Sequence, residues 1–238
     1  MKKFKRWLLG SLIVLLAICS IILLVVKNKE YQPSNTAQQA SSTSTVVDNT
    51  IKFSGDDSKP MVIFYPGALV EPKSYSIWAQ KVAQAGFSVY IVRFPLDLAV
   101  LNANAAKKIQ KNHQYIIGGH SLGGTMASRY AKNNSQKLLG VFFLASYPEK
   151  KGDLHETNVP VLSLTATKDG VLNYTNYQKA KKLLPNNTIY EQISGGNHAG
   201  FGSYGKQSGD NSATISNVKQ QNIISKLLIN WLNKDISQ

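Results

Sequence analysis

The stretch "GGHSLGGT", residues 118–125, decides how this chain is read, because it nearly fits two patterns of different meaning. Gly118 and Gly123, closed by Thr125, have the spacing of a phosphate-holding loop. Gly119, Ser121 and Gly123 have the spacing of G-x-S-x-G. A phosphate loop needs a lysine after its last glycine to reach the β- and γ-phosphates, and Gly124 stands there instead. Such a loop also usually follows the first strand of its domain, whereas apolar runs at 61–65 and 89–92 come earlier here. In the second pattern a strand ends near Gly118, Ser121 turns, and a helix begins at Leu122. For the hydroxyl to stand clear of the sheet, strand and helix must pass so closely that the residues two before and two after the serine have to be glycine. Gly119 and Gly123 hold those places.

From residue 51 onward, apolar runs alternate with amphipathic stretches. MVIFY (61–65), VYIV (89–92), YIIGG (115–119), GVFFLA (140–145), VLSLTA (161–166) and TIYEQI (188–193) read as strands, with Ile51-Lys52-Phe53 as a short edge strand. Helices are expected over roughly 74–85, 98–111, 122–133, 175–184 and 216–234. The last presents Ile223, Ile224, Leu227, Leu228, Trp231 and Leu232 on one face. Continuous apolar strands imply a sheet covered on both sides, and strand–helix alternation implies parallel order. The expectation is an α/β fold with a mostly parallel sheet of six or seven strands and helices on both faces. Ligands of such sheets bind beyond the carboxyl ends of the strands.

A serine hydroxyl is a weak nucleophile and needs a base that is itself oriented by an acid. In this architecture the chain order is Ser, then Asp or Glu, then His. Asp169 follows VLSLTA in "TATKDG", and His198 follows TIYEQI in "GGNHAGFG". Both are released where their strands end. Ser121, Asp169 and His198 are therefore the expected catalytic residues. His155 is a weaker base, and Asp97, Glu149 and Asp153 are alternative acids after other strands. His120, next to Ser121, is expected to pack beneath the turn, and His113 to lie on the surface. No two histidines have metal-ligand spacing, so no metal and no cofactor are expected. The developing negative charge would meet the N–H of Leu122 at the helix start. In "FYPGA", residues 64–68, Ala68 is the second expected oxyanion donor, with Leu69 the next choice.

These residues resemble the α/β-hydrolase superfamily, over about residues 51–238. "FYPGALVEP", "VYIVRFPLDLAV", "GGHSLGG", "ASYP" and "GGNHAGFGSYG" are similar to a branch of small bacterial hydrolases akin to dienelactone hydrolases. The resemblance implies Ser121 as nucleophile, His198 as base and Asp169 as its orienter. Dienelactone hydrolases proper use cysteine where Ser121 stands. Larger relatives build a cap between the strands GVFFLA and VLSLTA. Only 146–160 intervene here, so no cap and an open site are expected. In the polar loop 199–214, Phe201 and Tyr204 are expected beside the substrate, with Leu69, the loop forming either a small flap or plain surface.

Residues 7–26, WLLGSLIVLLAICSIILLVV, contain no charge. At 1.5 Å per residue such a helix spans roughly 30 Å, the thickness of a bilayer core. Lys2, Lys3, Lys5 and Arg6 precede it, which predicts a cytoplasmic basic segment 1–6 and an extracytoplasmic C-terminal domain. Val25-Val26-Lys27 offers no small-x-small cleavage site, and Ile18 before Cys19 disfavours lipid attachment. The expectation is an uncleaved signal anchor in the cytoplasmic membrane. Residues 27–50 lack Leu, Ile, Phe, Met and Trp and read as a flexible linker. Cys19 is the single cysteine, which excludes disulfides within the folded domain.

The net charge is +14. Setting aside the six cations and one acid before residue 31 leaves 21 Lys and Arg against 12 Asp and Glu. The lysines are scattered singly or in pairs rather than clustered with aromatics, so nucleic acid is not an expected partner. A solvated basic surface, or attraction to an anionic one, accounts for them. The sequence thus predicts a membrane-anchored serine hydrolase acting on an acyl ester. Acyl transfer through the same triad and a non-catalytic binding module are the alternatives.

Overall fold

Six of the apolar runs become adjacent parallel strands, and the reason lies in how their side chains divide. In β3 (Met61–Tyr65), Val62 and Phe64 enter one apolar layer while Ile63 and Tyr65 enter the other. Both faces are therefore buried, and the strand reads as a continuous apolar run. The computed structural model describes residues 27–236. The other strands are β1 (Thr45–Val47), β2 (Thr50–Phe53), β4 (Val89–Val92), β5 (Tyr115–His120), β6 (Leu138–Leu144), β7 (Val161–Ala166) and β8 (Ile189–Ile193). They form a sheet of eight strands in the order β1-β2-β4-β3-β5-β6-β7-β8. β4, β3, β5, β6, β7 and β8 run parallel, and β1 and β2 add antiparallel pairings at one edge.

The expected fold class holds: an α/β fold with a mostly parallel sheet and helices on both faces, and among the described residues no cap is inserted between β6 and β7. The strand count rises to eight because Thr45–Val47 pairs with β2, so Ile51–Phe53 is not the edge. Among the described residues the α-helices are α1 (Asn35–Ser41), α2 (Ser76–Gln84), α3 (Ala106–Gln110), α4 (Leu122–Asn133), α5 (Tyr174–Ala180) and α6 (Asn217–Trp231). On one face of the sheet, Trp78 and Val82 of α2 and Ile224, Leu228 and Trp231 of α6 pack with Phe64 and Phe142. On the other, Met126, Ala127 and Tyr130 of α4 meet Ile63, Tyr115 and Phe143. Ser216 begins α6 as a side-chain cap, accepting from Lys219 N–H.

The helix expected over 98–111 is broken. A 3-10 turn covers Ala99–Asn102, and α3 follows only at Ala106. Tyr65 Oη lies between the two, donating to Ala103 O and accepting from Ala106 N–H, and so takes up backbone groups that a continuous helix would pair internally.

The linker expected over 27–50 is also corrected, because the compact unit begins at Tyr31. Polar α1 is held by side-chain bonds rather than by a large apolar face. Ser34 caps it and bonds Ser203 through both backbone and hydroxyl, and Ala37 is fully buried. Tyr31 packs on Tyr204 with ring centroids 5.3 Å apart.

The expected anchor at 7–26, the basic segment 1–6 and Cys19 lie outside the described residues. The expected location in the cytoplasmic membrane is corrected here: among the described residues no helix is long and apolar enough to cross a membrane. Their longest α-helix, α6, has 15 residues, about 22 Å where a bilayer core needs about 30 Å.

Candidate active site

The turn after β5 is built by exclusion of side chains. A Cβ on Gly119 would come within 2.5 Å of Gly123 C, and one on Gly123 within 2.2 Å of both Pro66 O and Tyr65 O. The strand, the helix start and the loop after β3 therefore touch through backbone alone. Ser121 stands between them at φ 51° and ψ −124°. For a non-glycine residue that conformation costs on the order of 1–3 kcal/mol. Its N–H is held by Leu144 O at 3.1 Å, and its carbonyl accepts from Ser146 Oγ at 2.6 Å. Leu69, Leu96 and Ala145, each past the end of another strand, also have positive φ.

The loops after β7 and β8 meet at the same edge. His198 Nδ1 lies 2.9 Å from Asp169 Oδ2, and both residues are buried. Asp169 Oδ1 accepts from Val171 N–H at 2.9 Å and Leu172 N–H at 2.8 Å. One carboxylate oxygen is held by backbone, and the other can only accept, so the Nδ1–H of the imidazole donates to it. Nε2 is buried and has no hydrogen-bond partner among the described residues, so no bond joins it to Ser121 Oγ. Ser121 and His198 nevertheless face one cavity of about 280 Å³, which Leu122, Ala145, Tyr147, Val171 and Leu172 also line. Two larger clefts, of about 560 and 570 Å³, are lined by neither Ser121 nor His198.

His120 packs beneath the turn, as expected, and is 1% exposed. Burial, and then the neighbouring His198 with ring centroids 4.5 Å away, hold its pKa well below the usual histidine value. The neutral ring accepts at Nδ1 from Tyr75 Oη, 2.9 Å away. Tyr75 in turn accepts from Gly67 N–H, and burial pushes its phenol far up in pKa.

This network sorts the loop after β3. Pro66 has no N–H, Gly67 N–H is taken by Tyr75, and Leu69 N–H is taken by Asp97 O at 3.0 Å. Ala68 N–H donates no hydrogen bond among the described residues. Leu122 N–H, the first of α4, has no carbonyl four residues back within the helix. Both donors named from sequence are thus free, although Ala68 does not line the 280 Å³ cavity while Leu122 does.

The expected pocket residues Leu69, Phe201 and Tyr204 are corrected, since none lines that cavity. Phe201 is fully buried, stacked against His120, and Tyr204 belongs to the core beside Tyr31. The loop 199–214 is braced rather than free as a flap. Gln221 Nε2 donates to Gly200 O and Gly202 O, and Gln220 bonds both the N–H and the carbonyl of Asn197.

The weaker candidates are engaged elsewhere. Glu149 pairs with Arg129, and Asp153 bonds the half-exposed His155. Asp97 lies before the 3-10 turn, where its carbonyl holds Leu69. The wall formed by Ser146, Tyr147 and residues 171–173 was not picked out from the sequence, although its position just after β6 and after Asp169 was a usable signal. Tyr75, Gln220 and Gln221 carried no signal, because their partners are distant in sequence.

The profile described as the alpha/beta hydrolase family matches residues 61–222. An alpha/beta hydrolase from the metagenome of sediments of the Mar Chica lagoon, Morocco, superposes with a TM-score of 0.59 at 13% identity, covering 80% of this chain and 98% of its own. The esterase domain of a Rhodothermus marinus protein gives 0.59 at 13%, covering 79% and 92%. Dienelactone hydrolase from Anabaena variabilis gives 0.58 at 12%, covering 79% and 91%. Such identities speak to the shared fold alone. No curated protein sequence matches the chain.

Proposed function

We propose that this chain, which belongs to the alpha/beta hydrolase family, hydrolyses an acyl ester through Ser121, His198 and Asp169. The observation that carries the reading is the cavity shared by a serine in strained backbone and an imidazole whose far nitrogen is already held by a buried carboxylate. Solved structures of the same fold that are described as an esterase domain and as lipolytic enzymes support the reaction class.

In this reading Ser121 Oγ attacks the carbonyl carbon while His198 Nε2 takes its proton. The carbonyl oxygen becomes an oxyanion and is met by the N–H groups of Leu122 and Ala68. Asp169 holds the ring in the tautomer that leaves Nε2 basic and stabilises the imidazolium once formed. The tetrahedral carbon then expels the alkoxide, which leaves as an alcohol with the proton from His198. Water, deprotonated by His198, attacks the acyl-serine, and the carboxylic acid leaves as Ser121 recovers its proton. The unbonded Nε2 of the free chain fits this sequence, since bonds of this kind are often long before substrate arrives and tighten on binding. Leu122, Val171 and Leu172 offer apolar contact to an acyl group. The absence of a cap over the described site favours small, accessible esters.

Turnover of a p-nitrophenyl ester series tests this. The wild type should release nitrophenol with saturable kinetics, and Ser121→Ala should lose at least about 10³-fold in kcat. Equal rates for the two proteins would remove Ser121 from the reaction.

A further inference from the structure

Asp210 sits in the loop that follows His198, and the mechanism above does not use it. Its carboxylate nevertheless joins the two loops that carry the acid and the base. Oδ2 accepts from the N–H of Ala199, the residue after His198, at 2.8 Å. Oδ1 accepts from the N–H of Gly170, the residue after Asp169, at 3.0 Å. Asn211 N–H adds a third bond to Oδ1 at 2.9 Å and orients the carboxylate itself. The junction is close: a Cβ on Gly170 would lie 2.7 Å from Gly209 O and 2.8 Å from Asn211 Nδ2. Asn197 Nδ2, from the histidine loop, ties it further by donating to Asn211 O at 2.7 Å.

From these contacts we propose that Asp210 is a positioning residue that clamps the acid loop to the base loop and so fixes the His198–Asp169 couple. The proposal rests on the serine-hydrolase reading. The chemistry of the clamp demands a carboxylate. Three N–H donors converge on its two oxygens, and a side-chain amide of the same shape offers one oxygen and turns an NH2 group toward a donor. Asp210→Asn therefore keeps the volume and loses half of the clamp. Asp210→Glu keeps both acceptors on a longer stem.

The clamp holds geometry needed in the transition state, so its loss should appear in kcat rather than in KM. A misplacement of about 1 Å at such a distance from the chemistry can cost about 10²-fold. The experiment compares wild type, Ser121→Ala, Asp210→Asn and Asp210→Glu on one p-nitrophenyl ester, with the melting temperature of each. The expected result is kcat down about ten- to hundred-fold in Asp210→Asn with KM within about two-fold, and Asp210→Glu recovering part of the loss. Unchanged kcat in a folded Asp210→Asn, beside an inactive Ser121→Ala, overturns the clamp and leaves the hydrolase reading standing. An active Ser121→Ala overturns both. Amide hydrogen exchange on the wild-type chain needs no variant. Ala199 and Gly170 should be protected together, and exchange of either at the rate of an exposed loop overturns the clamp.

Discussion

Tyr75 Oη lies 2.9 Å from His120 Nδ1, and the same oxygen accepts from Gly67 N–H, also at 2.9 Å. One phenol thereby joins the loop that presents Ala68 to the residue immediately before Ser121. Tyr75→Phe keeps the ring in its aromatic cluster with Phe64 and removes only the oxygen. Two buried polar groups then lose their partner, at about 1–3 kcal/mol. The expected outcome is a matching fall in urea-unfolding free energy and a fall in kcat of about ten-fold, as the Ala68 amide loses its fixed position. Unchanged kcat would mean that Ala68 donates nothing to the transition state.

The neutral state of His120 makes a pH signature. Its folded pKa lies below the unfolded value of about 6.5. As pH falls below that value, the unfolded chain binds the proton first and the folded state loses stability. Above about pH 6.5 the group has no effect. The His120→Gln variant should therefore show a shallower decline of unfolding free energy below pH 6.5, by up to about 1.4 kcal/mol per pH unit. Parallel curves for the two proteins would contradict a buried neutral imidazole.

Gly123 tests how tightly the turn is built. A methyl group there meets the carbonyl oxygens of Tyr65 and Pro66 at 2.2 Å, and backbone cannot give way as a side chain can. Gly123→Ala should lower stability by about 1–3 kcal/mol or more and abolish ester turnover, because the loop bearing Ala68 must move. Thermal unfolding and a nitrophenyl ester assay check both parts. A fully active, equally stable Gly123→Ala would show that the loop has room to spare.

Much of this is legible in the sequence. The inner parallel strands β3, β5, β6 and β7 announced themselves because burial on both faces removes polar alternation, and the glycine pair around Ser121 announced the turn because no other residue fits there. The meeting of Asp169 with His198 was readable from chain order and from their places beyond strand ends. The errors share a cause. Residues 31–47 looked too polar to fold, yet α1 is held by serine bonds and β1 by backbone pairing with β2, neither of which apolar content records. Phe201 and Tyr204 adjoin His198 in sequence, but the chain turns them inward to His120 and Tyr31. Asp210, Tyr75, Gln220 and Gln221 act through backbone groups of other loops, and a backbone partner leaves no trace in residue types.

The proposed reaction depends first on the reactivity of one hydroxyl. A fluorophosphonate should add a single phosphonyl group to the wild-type chain, and peptide mass mapping should place it on Ser121. Labelling should vanish in Ser121→Ala and slow by about 10³-fold or more in His198→Ala. An adduct elsewhere, or undiminished labelling of Ser121→Ala, would contradict it.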